Sequence, residues 1–256
     1  MSQDAAESTG GAADPAAAPL SATGPTARGP VDPAAAPLSA TATTSRGAVD
    51  PAAAPLVATS GDERTPASAS ARALLPDALR GFTAAVDAAA RHDGWGLPTP
   101  SSGWDVRAVV GHVAAQHGRV PALLGRGPSR LAPDGDPLGP DPRPTWRALV
   151  AASTVAWATA PEDARVVIAG EDAPASELAE RLLLDLVVHA WDVRRALAVA
   201  GADVDERLDT ACAEHCLGWV RSHQRLLADS GRFGTPQDTE SADPQAQLLG
   251  LVGRRA

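Results

Sequence analysis

Asp185 and His189 stand four residues apart in LLLDLVVHAWDVRRAL, residues 182–197. At helical periodicity that spacing puts a carboxylate and an imidazole one turn apart on the same face. Asp192 follows three residues later, near that face. Polar groups embedded in an apolar run require partners. They form either a buried ion pair or hydrogen-bonded network, or half of a metal site. A second imidazole, His112, lies beside Val113 on the apolar side of VRAVVGHVAAQHGRV, residues 106–120. Gln116 and Arg119 follow it at i+4 and i+7 as a polar strip, and His117 points elsewhere. A lone His on such a face is by default a core or surface residue. The His/Asp face of residues 182–197 is what makes His112 a candidate ligand. Cys212, His215 and Cys216 are another set on one helical face. Three ligands on one turn of one helix make poor tetrahedral geometry. Small buried thiols beside Trp219 are the better reading.

These groups sit in a succession of helical patterns. Leu75, Leu79, Phe82 and Val86 mark a first helix over about residues 71–91. Pro76 is tolerated only in a first turn, so the pattern allows a later start. After a turn-rich connector, Ser102 to Asp105 reads as a capping box opening a second helix. Pro121 predicts a kink or break near Val120. Residues 125–144 read as loop, of a length that is often functional or mobile. A third helix is expected over 146–159, then a short extended piece, RVVIAG, over 165–170. Ser176 is the expected cap of the fourth helix, which carries Asp185 and His189 and ends near Gly201. A fifth helix is expected over 205–228. A short terminal helix should pack Leu248, Leu249 and Leu251. The class is all-α.

Composition bounds the rest. The first stretch is rich in Ala, Pro, Ser, Thr and Gly, and it repeats DPAAAPL from Asp14, Asp32 and Asp50. Each unit holds one Leu and several small residues, too little apolar surface to offset ordering entropy. Residues 1–67 are therefore expected to be a disordered tail and residues 68–256 one domain. A net charge of −9 argues against a nucleic-acid partner. The 22 basic residues are all arginine, which reflects coding bias rather than chemistry. Two cysteines at i,i+4 make no disulfide framework, and the start of the chain has no basic and apolar leader pattern. No apolar run approaches membrane-spanning length, so no membrane partner is expected and a reducing cytoplasm fits.

Three segments resemble one family: LPTPSSGWDVRAVVGHV (97–113), LLLDLVVHAWDVRRAL (182–197) and QLLGLVGRR (247–255). They are similar to the metal-binding domain of mycothiol-dependent maleylpyruvate isomerase, and more closely to its uncharacterised bacterial metal-binding relatives in the DinB-like superfamily. The resemblance implies a DinB-like four-helix bundle with a short C-terminal extension. It implies a divalent metal, expected to be zinc, held by His112, Asp185 and His189. The isomerase itself has Glu at the acidic position. The related pattern often has Cys after Pro-Thr-Pro, where this chain has Ser101. Asp192 and Trp191 become candidates for orienting a ligand His or closing the pocket wall, and Arg119 for meeting an anionic substrate. Two His and one carboxylate leave a coordination position open, which suits catalysis. The expected function is a thiol-dependent transferase or isomerase, with mycothiol as a possible co-substrate. The alternatives are a non-catalytic metal-binding or regulatory bundle, and a mononuclear iron oxygenase using the same three ligands. The bundle resemblance counts against the last. Substrate and oligomeric state are left open.

Overall fold

The computed structural model describes residues 69–131, 135–168, 170–224 and 233–255. The DPAAAPL repeats lie outside the described residues. Within them the chain is mostly helical, with one two-stranded sheet.

Helix α1 spans Ala71–Arg91 and buries Leu74, Leu75, Ala78, Leu79, Phe82, Ala85, Val86 and Ala89, a stripe at steps of three and four. Its start is not delayed by Pro76. The Ser70 side chain accepts from the Ala73 N–H and closes the first turn. Leu74 and Leu75, just before the proline, are buried and hold that turn in place. Helix α2 spans Val106–Leu123, and its cap is Asp105 rather than Ser102. The expected capping box fails because Gly103 has φ +80°, a left-handed value outside any helix. Residues 97–106 instead fold back on themselves. Trp104 N–H donates to the Ser101 carbonyl, Thr99 N–H to Trp104 and Val106 N–H to Leu97. The helix runs through Pro121 and ends at Leu123.

Helix α3, Pro142–Thr159, starts four residues before the expected Trp146, because prolines in a first turn cost no hydrogen bond. Trp146 is fully buried against Phe82, with ring centroids 4.8 Å apart, and its indole N–H donates to Thr83. The segment before α3 is pinned in its described parts. Leu138 is fully buried, and Arg107 pairs with Asp136 and donates to the Gly139 carbonyl.

Strand β1, Arg165–Ile168, pairs antiparallel with β2, Glu171–Pro174. The second strand was not expected, since EDAP lacks β-branched and aromatic residues. It runs straight into α4, Ala175–Val199, whose N-cap is Pro174 and not Ser176. The Ala175 N–H already donates to the Ala164 carbonyl at the base of the hairpin, so a side-chain cap has less to satisfy. Every residue of α4 from Leu182 to Val193 is buried. The reason is its neighbours: α4 packs on α1, on α2 and on α5. Helix α2 also packs on α3, and α3 on α1, so the four long helices contact in a closed ring.

Helix α5 spans Thr210–Ser222, starting later than expected. Asp209 caps it, and the Leu208 N–H is taken by the Gln245 side chain instead of by a helical carbonyl. Helix α6, Pro244–Leu251, buries Leu248 and Leu249. No helix among the described residues is long and apolar enough to cross a membrane.

His117 of α2 is fully buried, with Nδ1 2.9 Å from Ser153 Oγ on α3. Burial pushes its pKa down to about 4, against a smaller upward pull from the charge of Asp185. The unfolded chain therefore takes up this proton first, near pH 6.5. Stability should fall as pH drops from about 6.5 to about 4, by about 1.4 kcal/mol per pH unit, and this loss should level off below that window. Thermal melting of a His117→Gln variant should lose that part of the slope. Parallel melting curves for the two proteins across the window would refute the assignment.

Candidate metal centre

Helices α2 and α4 bring together the three side chains expected to hold a metal. Asp185 and His189 project from one face of α4, and His112 faces them from α2. His112 Nε2 is 3.6 Å from Asp185 Oδ2, and the two imidazole centroids are 5.5 Å apart. One ligand atom from each of the three lies within 4.8 Å of the others. Asp185 and His189 are buried, and the His112 side chain is nearly so. Bonds from zinc to nitrogen or oxygen of about 2.0–2.2 Å place neighbouring ligand atoms roughly 3.5 Å apart, so side-chain shifts on the order of 1 Å would close the set around an ion. The residues fit a divalent cation with an open position.

The orientation of His189 is set from behind. Its Nδ1 is 2.9 Å from Oδ2 of Asp192, which has no solvent exposure. Burial acts to raise the Asp192 pKa. The hydrogen bonds from His189 and Arg254 and the positive charge facing it together outweigh burial and hold the carboxyl down to about 2. An ionised carboxylate can only accept, so Nδ1 carries the proton and Nε2 of a neutral His189 keeps its lone pair for an ion.

Three residues at this site were not singled out as parts of it from the sequence. Ser101 Oγ donates to Asp192 Oδ2 at 2.9 Å. Arg254, beyond α6, donates to both Asp192 oxygens, at 3.2 and 3.0 Å, and to Ser101 Oγ at 2.7 Å. The indole of Trp104 lies 5.0 Å from the His112 ring and 6.1 Å from the His189 ring, nearly parallel to the latter. The available signals were thin: Trp104 adjoins the Asp105 cap, and Arg254 ends an apolar helical pattern. Trp191, expected as pocket wall, is buried, but the indole against the two imidazoles is Trp104, tilted to His112 and stacked on His189. Arg119 is exposed and makes none of the described hydrogen bonds of this cluster.

Cys212, His215 and Cys216 do not form a comparable group among the described residues. Burial, reinforced by Asp209, pushes the Cys212 thiol up to about 12, and burial raises Cys216 well above its ordinary value. Thiols held protonated are poor ligands. His215 Nε2 is instead 2.9 Å from Glu180 Oε2.

Residues 75–194 match the family model of the mycothiol maleylpyruvate isomerase N-terminal domain. The match runs from α1 into α4 and includes His112, Asp185, His189 and Asp192. Residues 195–256, with α5, α6 and Arg254, lie outside it. No curated protein and no solved structure matches the chain. The match covers the first quoted motif and most of the second, together with the helices that carry His112, Asp185 and His189: residues 75–194 are similar to the mycothiol maleylpyruvate isomerase N-terminal domain family.

Proposed function

We propose that the protein binds one divalent cation, zinc, through His112, Asp185 and His189, and uses it in a thiol-dependent transfer or isomerisation. The observation that carries this reading is the convergence of three potential ligand atoms within 4.8 Å, one of them oriented by a buried carboxylate. When bound, such a cation supplies Lewis acidity and lowers the pKa of a thiol or water towards neutrality.

The protein's own groups then divide the work. His112, Asp185 and His189 contribute a single negative charge, so the loaded centre keeps a net positive charge. The second carboxylate, Asp192, is balanced by Arg254 and does not cancel it. A net positive, mostly buried centre favours an anionic ligand such as a thiolate over a neutral one. Trp104 covers the imidazoles on one side, keeps water from that side and narrows the approach. Mycothiol is the co-substrate proposed here, on the family match and this charge balance.

Two experiments test the reading. Protein purified without a His-tag or chelator should carry about one zinc per chain, and His112→Ala and His189→Ala should each lose it while keeping most of their helical circular dichroism. Zinc retained by either variant would remove the site assignment. Separately, a low-molecular-weight thiol added to the cobalt-substituted protein should produce a sulfur-to-cobalt charge-transfer band, absent in Asp185→Ala. A spectrum unchanged at saturating thiol would argue for a centre that binds metal without handling thiols.

A further inference from the structure

We propose that Arg254 and Ser101 are positioning residues of the metal centre, acting through Asp192 on His189, and that the segment following α6 is thereby a working part of the site. This rests on the metal reading above. The inference starts from the donors that converge on one carboxylate. Oδ2 of Asp192 is within hydrogen-bond distance of His189 Nδ1, Ser101 Oγ and Arg254 Nη2, and Oδ1 accepts from Arg254 Nε. Arg254 thus grips Asp192 with two parallel N–H groups, the fork geometry that fixes the plane of a carboxylate as well as its charge. Its Nη2 also donates to Ser101, and Nη1 is held by the Val252 carbonyl. With the plane fixed, Oδ2 stays aimed at Nδ1 and the imidazole cannot turn.

The delivery of Arg254 is built into the backbone. Gly253 adopts φ +76°, and a Cβ there would come 2.5 Å from the Gly234 carbonyl carbon. Only glycine turns the chain at that spot and lets two backbone segments touch. The Arg254 N–H then donates to the Leu249 carbonyl at the end of α6, which fixes where the side chain begins. Arg254 reaches Asp192 across 62 residues and is buried, as is its partner. A purely stabilising ion pair would not need to share its acceptor with a candidate metal ligand.

Ser101 completes the clamp from the turn before α2. It donates to Asp192 and accepts from Arg254 with one short hydroxyl. The residue at this position therefore works behind the imidazole, as a polar bridge between Asp192 and Arg254.

The test is zinc affinity, by chelator competition, for the full chain and for Arg254→Met, Ser101→Ala, Asp192→Asn and the Arg254→Met/Asp192→Asn double variant. Circular dichroism serves as the folding control. Arg254→Met should bind zinc about 10–100-fold more weakly than the unaltered protein, as loss of an orienting partner does. Ser101→Ala should show a smaller loss in the same direction, and it carries the test if Arg254→Met does not fold. Because Arg254 acts through Asp192, the double variant should bind no more weakly than Asp192→Asn alone. Unchanged affinity in folded Arg254→Met, or losses that add in the double variant, would overturn the proposal and leave the metal reading standing. Absence of zinc binding by the unaltered protein would overturn both.

Discussion

A carboxylate with no exposure to solvent, in the middle of an apolar helix, has to be matched or it will not stay charged. Asp192 is matched from three parts of the chain. His189 lies one turn earlier on the same helix, Ser101 in the turn before α2, and Arg254 beyond α6. Each gives a hydrogen bond, and Arg254 also gives a full positive charge. The core around α4 tolerates the group because the network is complete. The same network turns a structural necessity into a constraint on chemistry, since one of its members is an imidazole whose other nitrogen faces a second imidazole and a second carboxylate.

The surrounding fold follows from that helix. A helix buried over the whole run from Leu182 to Val193 needs neighbours on several sides, and α1, α2 and α5 supply them. Apolar stripes at steps of three and four on α1 face it, and α2 brings His112 to it within a row of buried valines. Helix α6 packs on α5, and the glycine turn beyond it delivers the arginine. The polar groups around Asp192 are few and paired within short range, so the packing of small and branched side chains around them can remain continuous.

Much of this arrangement was legible in the residues. Helical spacing alone aligns Asp185 with His189, because the period of the backbone fixes which side chains share a face. The limits of α1 were readable from the stripe of Leu79, Phe82 and Val86. The errors lie where a local pattern was overruled by a neighbour distant in sequence. The S-G-W-D box is displaced by a left-handed Gly103. Ser176 is bypassed because the hairpin already satisfies the first amide of α4. The start of α5 waits until Asp209 because Gln245 claims the Leu208 amide. Trp104, Ser101 and Arg254 share a further difficulty. Their part in the site is a contact across many residues, and no period of a single segment encodes such a contact. The pairing of β1 with β2 belongs with them, since EDAP becomes a strand only by the company it keeps.

Two of the three candidate ligands ride on one helix, and the third rides on another. The spacing of Asp185 and His189 is therefore as stiff as the α4 backbone, and only His112 can change its distance from them appreciably. It does so when α2 slides or tilts against α4. Arg107, near the start of α2, is tied to Asp136 and Gly139, and buried valines hold its inner face. The coordination pocket thus has one mechanical degree of freedom, the gap between two helices. How long an ion resides there becomes a property of helix–helix packing as much as of the ligands, and substitutions at Val109 or Val113 would be felt at the metal without touching it.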